Sequence, residues 1–173
     1  MTKAVAASYV ALEIVHDADL RGKRVITTLS VSAGDVIAQI IGHREVPVPN
    51  RFSVQVGTDR HIDGLRELTY LNHSCAPNVF VNTTELTVIA LRPITMGEEL
   101  SFFYPSTEWR MAEPFDCLCG TTQCVGQIAG AVTLSQITLS RFRINDHILA
   151  LHRVAHQGQS GMPVSVWVVP SQL

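Results

Sequence analysis

Cysteine placement is the strongest constraint on how this chain can fold. Three of its four cysteines fall within PFDCLCGTTQC, residues 114–124, and the fourth, Cys75, stands far upstream inside LNHSCAPN. A fold that uses all four must bring the segment after Pro114 back onto the region of Cys75. The opening MTKAVAASYVALEIVHDADL has no charged leader joined to a long apolar run, which predicts a cytoplasmic or nuclear protein with no membrane span. In such reducing surroundings clustered thiols point to metal binding or catalysis rather than to disulfides. The CxCx4C cluster of Cys117, Cys119 and Cys124, with Cys75 as remote partner, offers the donor set of a tetrahedral all-thiolate Zn2+ site. The alternative is four unconnected thiols buried as small hydrophobes. Clustering favours the metal, and Gly120 can turn the backbone through a left-handed conformation directly after the CxC pair.

Composition limits the possible functions. With 173 residues, 46% of them hydrophobic and 16% charged, the chain is suited to one compact domain. A formal net charge of −2 and the lack of any polybasic block predict no direct nucleic-acid binding and no membrane-surface partner.

Short strands dominate the pattern. YVALEIVH, KRVITTLSV, DVIAQIIG, RFSVQV, NVFVN, LTVIALR and ELSFFY are rich in β-branched and aromatic residues. Turn chemistry at SAGD, VPVPN, NTTE and TMGEE separates them. RHIDGLRELTYLNHS has room for about one helical turn. After Gly130 the character changes: SQITLSRF and DHILALHRVA read as helices, the second opened by a cap at Asn145 or Asp146 and closed near Gly158, and SVWVV reads as a last strand.

Three stretches in fixed order carry a family resemblance: LNHSCAPN at 71–78, ITMGEELSFFY at 94–104 and CLCGTTQCVG at 117–126. Together with VSAGDVI at 31–37, they resemble the SET-domain family of protein lysine methyltransferases with its post-SET zinc segment. The resemblance runs from about Arg21 to Gly130. It implies a mainly β fold, the SET β-clip of short twisted sheets with a pseudoknot, followed by the zinc-binding segment and short C-terminal helices. The expected division is 1–112 for the SET domain, 113–130 for the post-SET segment and 131–173 for an extension packed on the domain or on a partner subunit, the latter giving a homodimer.

The same resemblance implies S-adenosylmethionine as methyl donor and a lysine-type amine of a protein as acceptor. Asn72 and His73 match the cofactor-contacting pair, though each could instead satisfy backbone groups of crossing strands. Gly22, Lys23, Arg24 and Val25 match the first cofactor motif, with Arg24 where the family keeps a second glycine. Tyr104 matches the catalytic tyrosine, whose hydroxyl would align the amine and stabilise the charge moving from sulfur to nitrogen. Tyr70 is the nearest possible helper, since Tyr9 is the only other tyrosine. Thr69 replaces a longer polar residue of the family pattern, and Phe103 replaces an acidic one. These departures keep two alternatives open: a SET-fold enzyme turned to a different reaction on a small molecule, such as an amine, or a zinc-stabilised interaction module without catalysis. The polar stretch TDRHID, with Asp59, Arg60, His61 and Asp63, is either a solvated loop or a ligand contact.

Overall fold

β-Branched runs in this chain end quickly at turns, and the result is five small sheets among the described residues rather than one large one. The protein is described here by a computed structural model, covering residues 12–17 and 22–157. The expected strand at SVWVV and the helix stop at Gly158 lie outside the described residues. In chain order the first strands are β1 (Leu12–Asp17), β2 (Gly22–Thr27), β3 (Val36–Gln39), β4 (Arg44–Val46), β5 (Val54–Gln55) and β6 (His61–Asp63). They are followed by β7 (Asn72–His73), β8 (Val79–Asn82), β9 (Thr87–Ala90), β10 (Ser101–Phe102), β11 (Phe115–Asp116) and β12 (Gln127–Ile128). Two helices close the described chain, α1 (Gln136–Leu139) and α2 (Asp146–Gln157).

β1 and β2 form an antiparallel hairpin, β3–β9–β8 and β4–β6–β5 form three-stranded antiparallel sheets, and β11 pairs with β12. The remaining pair, β7 with β10, is parallel, with Asn72 opposite Ser101 and His73 opposite Phe102. Asn78 clamps this crossing: its side chain donates to the Glu99 carbonyl at 2.8 Å and accepts from the Ser101 N–H at 2.9 Å.

Several strands are shorter than the sequence pattern predicts, for identifiable reasons. RFSVQV keeps only Val54–Gln55, because Asn50 Oδ1 accepts from the Phe52 N–H at 2.8 Å and holds Arg51 and Phe52 in a turn. KRVITTLSV stops as a strand at Thr27, whose hydroxyl donates to the Leu29 carbonyl at 2.6 Å; Val31 then makes only a bridge to Ile94. ELSFFY leaves the sheet after Phe102, since Pro105 lacks an N–H, and Tyr104–Ser106 turn into a single 3-10 turn. The helical turn expected near RELTY is another 3-10 segment, Arg66–Tyr70. Asn145 opens α2 through its carbonyl, which accepts from the Ile148 and Leu149 N–H groups at 3.1 and 3.2 Å, while its buried side chain cross-links other segments, accepting from the Thr83 N–H at 3.0 Å and donating to the carbonyls of Val81 and Ser106, both at 2.9 Å.

Two apolar clusters result. Val25, Ile37, Val79, Val88 and Leu100 centre the first, between the sheets. Cys75, Phe103, Ile128, Ala131, Leu139 and Ile148 centre the second, which binds the cysteine segment and the C-terminal helices to the tyrosine strand. Phe103 is 2% exposed and stacks on Phe142, with ring centroids 3.6 Å apart and planes 4° from parallel. Burying such a ring stabilises by roughly 1.5–3 kcal/mol, and the aromatic pairing adds about 0.5–1.5. Removing the Asn145 cross-link leaves buried backbone groups unpaired, so Asn145→Ala is expected to cost about 2–4 kcal/mol in a urea unfolding titration.

Candidate active site and metal centre

The antiparallel β11–β12 pair closes a loop that carries three cysteines back to Cys75. Gly120 turns it at φ +67°, and the Cys117 N–H donates to the Gly126 carbonyl at 2.6 Å. The sulfurs of Cys75, Cys117, Cys119 and Cys124 all lie within 4.8 Å of one another, and Cys75 Sγ is 3.9 Å from Cys117 Sγ. Zinc–sulfur bonds of ~2.3 Å set the edges of a thiolate tetrahedron at about 3.8 Å, so the donor set fits this ion. Backbone N–H groups of Val125 and Gly126 point at Cys75 and Cys124 Sγ, at 3.5 and 3.4 Å. Burial pushes the Cys75 thiol well up and the Cys117 thiol up to about 11. Burial also opposes ionisation of Cys119, but hydrogen bonds from the Thr121 hydroxyl and backbone overcome it and bring that thiol down to about 6. A divalent cation would supply the counter-charge that lets all four ionise.

Beside this centre lies a cleft of about 700 Å³ bordered by Asn72, His73, Glu99, Tyr104, Phe115 and Leu118, among others. A second, narrower cavity of about 50 Å³ runs under Phe52, Leu68, Leu71 and Phe102. Arg51, Tyr104 and Met111 border both. The Tyr104 hydroxyl donates to the Leu71 carbonyl at 2.7 Å. Burial pushes this phenol up to about 12, so it stays protonated.

His73 joins the tyrosine to the thiols. Its Nδ1 accepts from the Tyr104 N–H at 3.2 Å, which assigns the proton to Nε2, facing Cys75 Sγ at 3.3 Å. Burial holds this imidazole down to about 4, hence neutral. Asn72 Nδ2 donates to Glu99 Oε1 at 2.8 Å and to the Lys23 carbonyl at 3.3 Å. Thus the structure brings together Asn72, His73, Tyr104 and the four cysteines.

The first motif stands further out. Gly22, Lys23, Arg24 and Val25 border neither cavity. Val25 is fully buried in the core, and Arg24 Nε is buried without a hydrogen-bond partner among the described residues. Tyr70 borders neither cavity as well; its hydroxyl accepts from Lys23 Nζ at 3.3 Å. The TDRHID stretch divides: Arg60 pairs with Glu45 at the surface, Ile62 and Asp63 are buried, Asp63 pairing with Arg44 at 2.7 Å, and half-buried His61 places its Nε2 3.8 Å from Glu108 Oε2.

Sequence reasoning missed Glu99, Phe115, Arg51 and Met111 at the cavities, and above all Glu108. Glu99 was legible as part of GEEL but read as turn chemistry. Glu108, in PSTEW, has no spacing that separates it from a solvated carboxylate, yet it is 7% exposed. Its Oε1 accepts from the Gln55 N–H at 2.8 Å and the Thr107 hydroxyl at 3.2 Å. Burial pushes its carboxyl up to about 7, although both donors work against the rise.

Short sheets joined by one parallel crossing make up the arrangement of a SET domain, and the thiol-rich loop that follows docks on it. Comparison with known proteins agrees. The SET domain family model matches residues 22–105. The chain is 39% identical over 122 residues to methyltransferase flvH of Aspergillus flavus, spanning 69% of this chain and 68% of that protein. It is 36% identical over 75 residues to an H3 lysine-36 specific histone-lysine N-methyltransferase of Chaetomium globosum, a match covering 40% of this chain and 8% of that protein. The solved structure of KRYPTONITE in complex with mCHG DNA and SAH aligns with a TM-score of 0.56 at 22% identity, over 68% of this chain and 29% of that one. SUVH6 of Arabidopsis thaliana in complex with SAM aligns at 0.55 and 19% identity, over 68% and 33%. The chain belongs to the SET-domain methyltransferase family; the two solved structures speak for the fold alone. No helix among the described residues is long and apolar enough to cross a membrane.

Two outcomes are expected. Protein purified without chelator carries one zinc per chain by metal analysis, and Cys75→Ser lowers this to a small fraction. The folded chain keeps the Glu108 proton to higher pH than the unfolded chain, whose carboxyl titrates near 4.5. Wild type therefore loses stability relative to Glu108→Gln as pH rises from about 4.5 to about 7, by on the order of 3 kcal/mol, in paired denaturation curves.

Proposed function

We propose that this protein transfers a methyl group from S-adenosylmethionine to a lysine-type amine. The single observation that carries the reading is the position of Tyr104, a wall common to two cavities of unequal size. The larger one fits the donor: polar Asn72, His73 and Glu99 at one part, and Phe115 and Leu118 at another, where exposed apolar surface is available to an adenine ring. Lys23 meets this side through its carbonyl, which accepts from Asn72 Nδ2 at 3.3 Å, and Gly22, Arg24, Val25 and Tyr70 stand behind it on the same proposed cofactor side, bordering neither cavity. When bound, the cofactor supplies an electrophilic methyl whose sulfonium leaves as a thioether as the new N–C bond forms.

The smaller cavity receives the acceptor. Where its apolar residues Leu68, Leu71 and Phe102 meet the nitrogen they favour the neutral amine, whose free pKa is roughly 10.4, over the ammonium. Tyr104 remains a phenol near 12 and does not take the proton; its hydroxyl, anchored on the Leu71 carbonyl, orients the nitrogen and the methyl. Cys75, Cys117, Cys119 and Cys124 would hold Zn2+ as a fastener that keeps Phe115 and Leu118 over the donor cleft. In this reading 1–112 is the catalytic domain, 113–130 the zinc segment and 131–173 an extension.

A protein lysine is the first acceptor to consider, in keeping with the histone-directed names among the relatives. A small-molecule amine is the second, favoured by the buried Glu108 carboxylate on the acceptor side. In calorimetry, saturable binding of S-adenosylmethionine is expected, and no binding at millimolar cofactor would end the proposal. Tyr104→Phe keeps the ring contacts with Phe102 and His73 but should slow methyl transfer at least about 100-fold, with cofactor affinity unchanged. Transfer from radiolabelled cofactor to histone H3 and to a panel of alkylamines reads the rate, and equal turnover would refute the role of the hydroxyl.

A further inference from the structure

Two charged side chains border the smaller cavity: Arg51, which is exposed, and Glu108, which is buried. The two oxygens of Glu108 differ. Oε1 is committed to the Gln55 N–H and the Thr107 hydroxyl. Oε2 takes no hydrogen bond among the described residues; the nearest ring nitrogen, His61 Nε2, is 3.8 Å away, beyond hydrogen-bonding distance. Burial, and the neighbouring His147, keep His61 neutral, so it does not neutralise the carboxylate. A carboxylate oxygen that takes no hydrogen bond and borders a cavity is free to accept from a ligand cation.

The cavity's size restricts what can bring the cation. About 50 Å³ has room for about four water-sized groups, enough for a slender aliphatic chain but not for two chains side by side. A protein lysine entering this space delivers one nitrogen, the one that Tyr104 orients and that attacks as the neutral amine. An acceptor that carries its own second charge meets both groups with one molecule.

We propose that the acceptor is a small aliphatic amine with a second basic nitrogen, whose ammonium binds Glu108 Oε2 while the methyl-accepting nitrogen lies at Tyr104. The proposal rests on the reading of the smaller cavity as the acceptor site. Glu108 then acts as a specificity residue, selecting chain length by its separation from the tyrosine. The charged and titratable groups that face it are His61 from β6, His147 from α2 and Arg51 from the turn before β5. Of these, the two histidines are held neutral by burial.

The test uses the full zinc-loaded chain saturated with S-adenosylhomocysteine. Calorimetry compares putrescine, cadaverine and hexamethylenediamine with butylamine, pentylamine and hexylamine. One diamine is expected to bind at least about tenfold tighter than its monoamine at about pH 8, a ratio that falls as pH drops below about 7 and the carboxylate gains its proton. Glu108→Gln keeps an acceptor for the Gln55 N–H and should bring the ratio to one at every pH, with S-adenosylhomocysteine affinity and zinc content unchanged. Glu108→Asp, which keeps the charge, should retain part of the preference. Monoamines that match every diamine, or a preference that survives in Glu108→Gln, would overturn the proposal. Failure of S-adenosylhomocysteine to bind would instead reject the methyl-transfer reading, and the diamine ratio is then read on the chain alone.

Discussion

The parallel contact between Asn72–His73 and Ser101–Phe102 is the constraint on which the rest of the molecule depends. Two residues per strand is too little backbone pairing to hold by itself, and side chains make up the difference. Asn78 reaches across to the Glu99 carbonyl, the Ser101 N–H and the Glu98 carboxylate, so the register cannot slip without breaking three bonds at once. Glu98 is itself fixed: the Arg92 guanidinium beside it pulls its carboxyl down to about 2. Because Asn72, His73 and Cys75 follow one strand and Glu99 and Tyr104 flank the other, this register sets every distance in the site.

That geometry links the thiol centre to the tyrosine through a single ring. Cys75 Sγ, His73 Nε2, His73 Nδ1 and the Tyr104 N–H form a continuous path, and the neutral imidazole has the one tautomer that satisfies both ends. Outer groups that orient metal ligands commonly act in this way. Here the same group also fixes the backbone of the residue between the two cavities. Docking of the β11–β12 loop and placement of the phenol are therefore not separate events.

The sequence made the local chemistry legible and left the long-range chemistry hidden. Clustered cysteines, NHSC and GEELSFFY led to the correct family and to the residues that meet at the crossing. Strand ends were less legible, because they are decided by single side chains such as Asn50 and Thr27 bonding to nearby backbone. Asn145 opens α2 as the local rule expects, its carbonyl accepting from the Ile148 and Leu149 N–H groups, but its side chain is committed to Thr83, Val81 and Ser106, which no local rule shows. Glu108 was invisible for the same reason: its environment is made by Gln55, His61 and Thr107, and only the folded chain brings Gln55 and His61 beside it. The first motif shows the converse. Its residues were read as a cofactor loop; Val25 is committed to the core, and Arg24 borders neither cavity.

Phe103 explains one departure from the family pattern more fully than its own position does. A carboxylate there would sit against the face of Phe142 with almost no water, a placement that a charge does not tolerate. The acidic residue usual before the tyrosine and the helical tail that supplies Phe142 thus exclude each other. In this chain the stacked ring at position 103 therefore ties the tyrosine strand to the segment between the two helices, a tie that a charged residue there would sever.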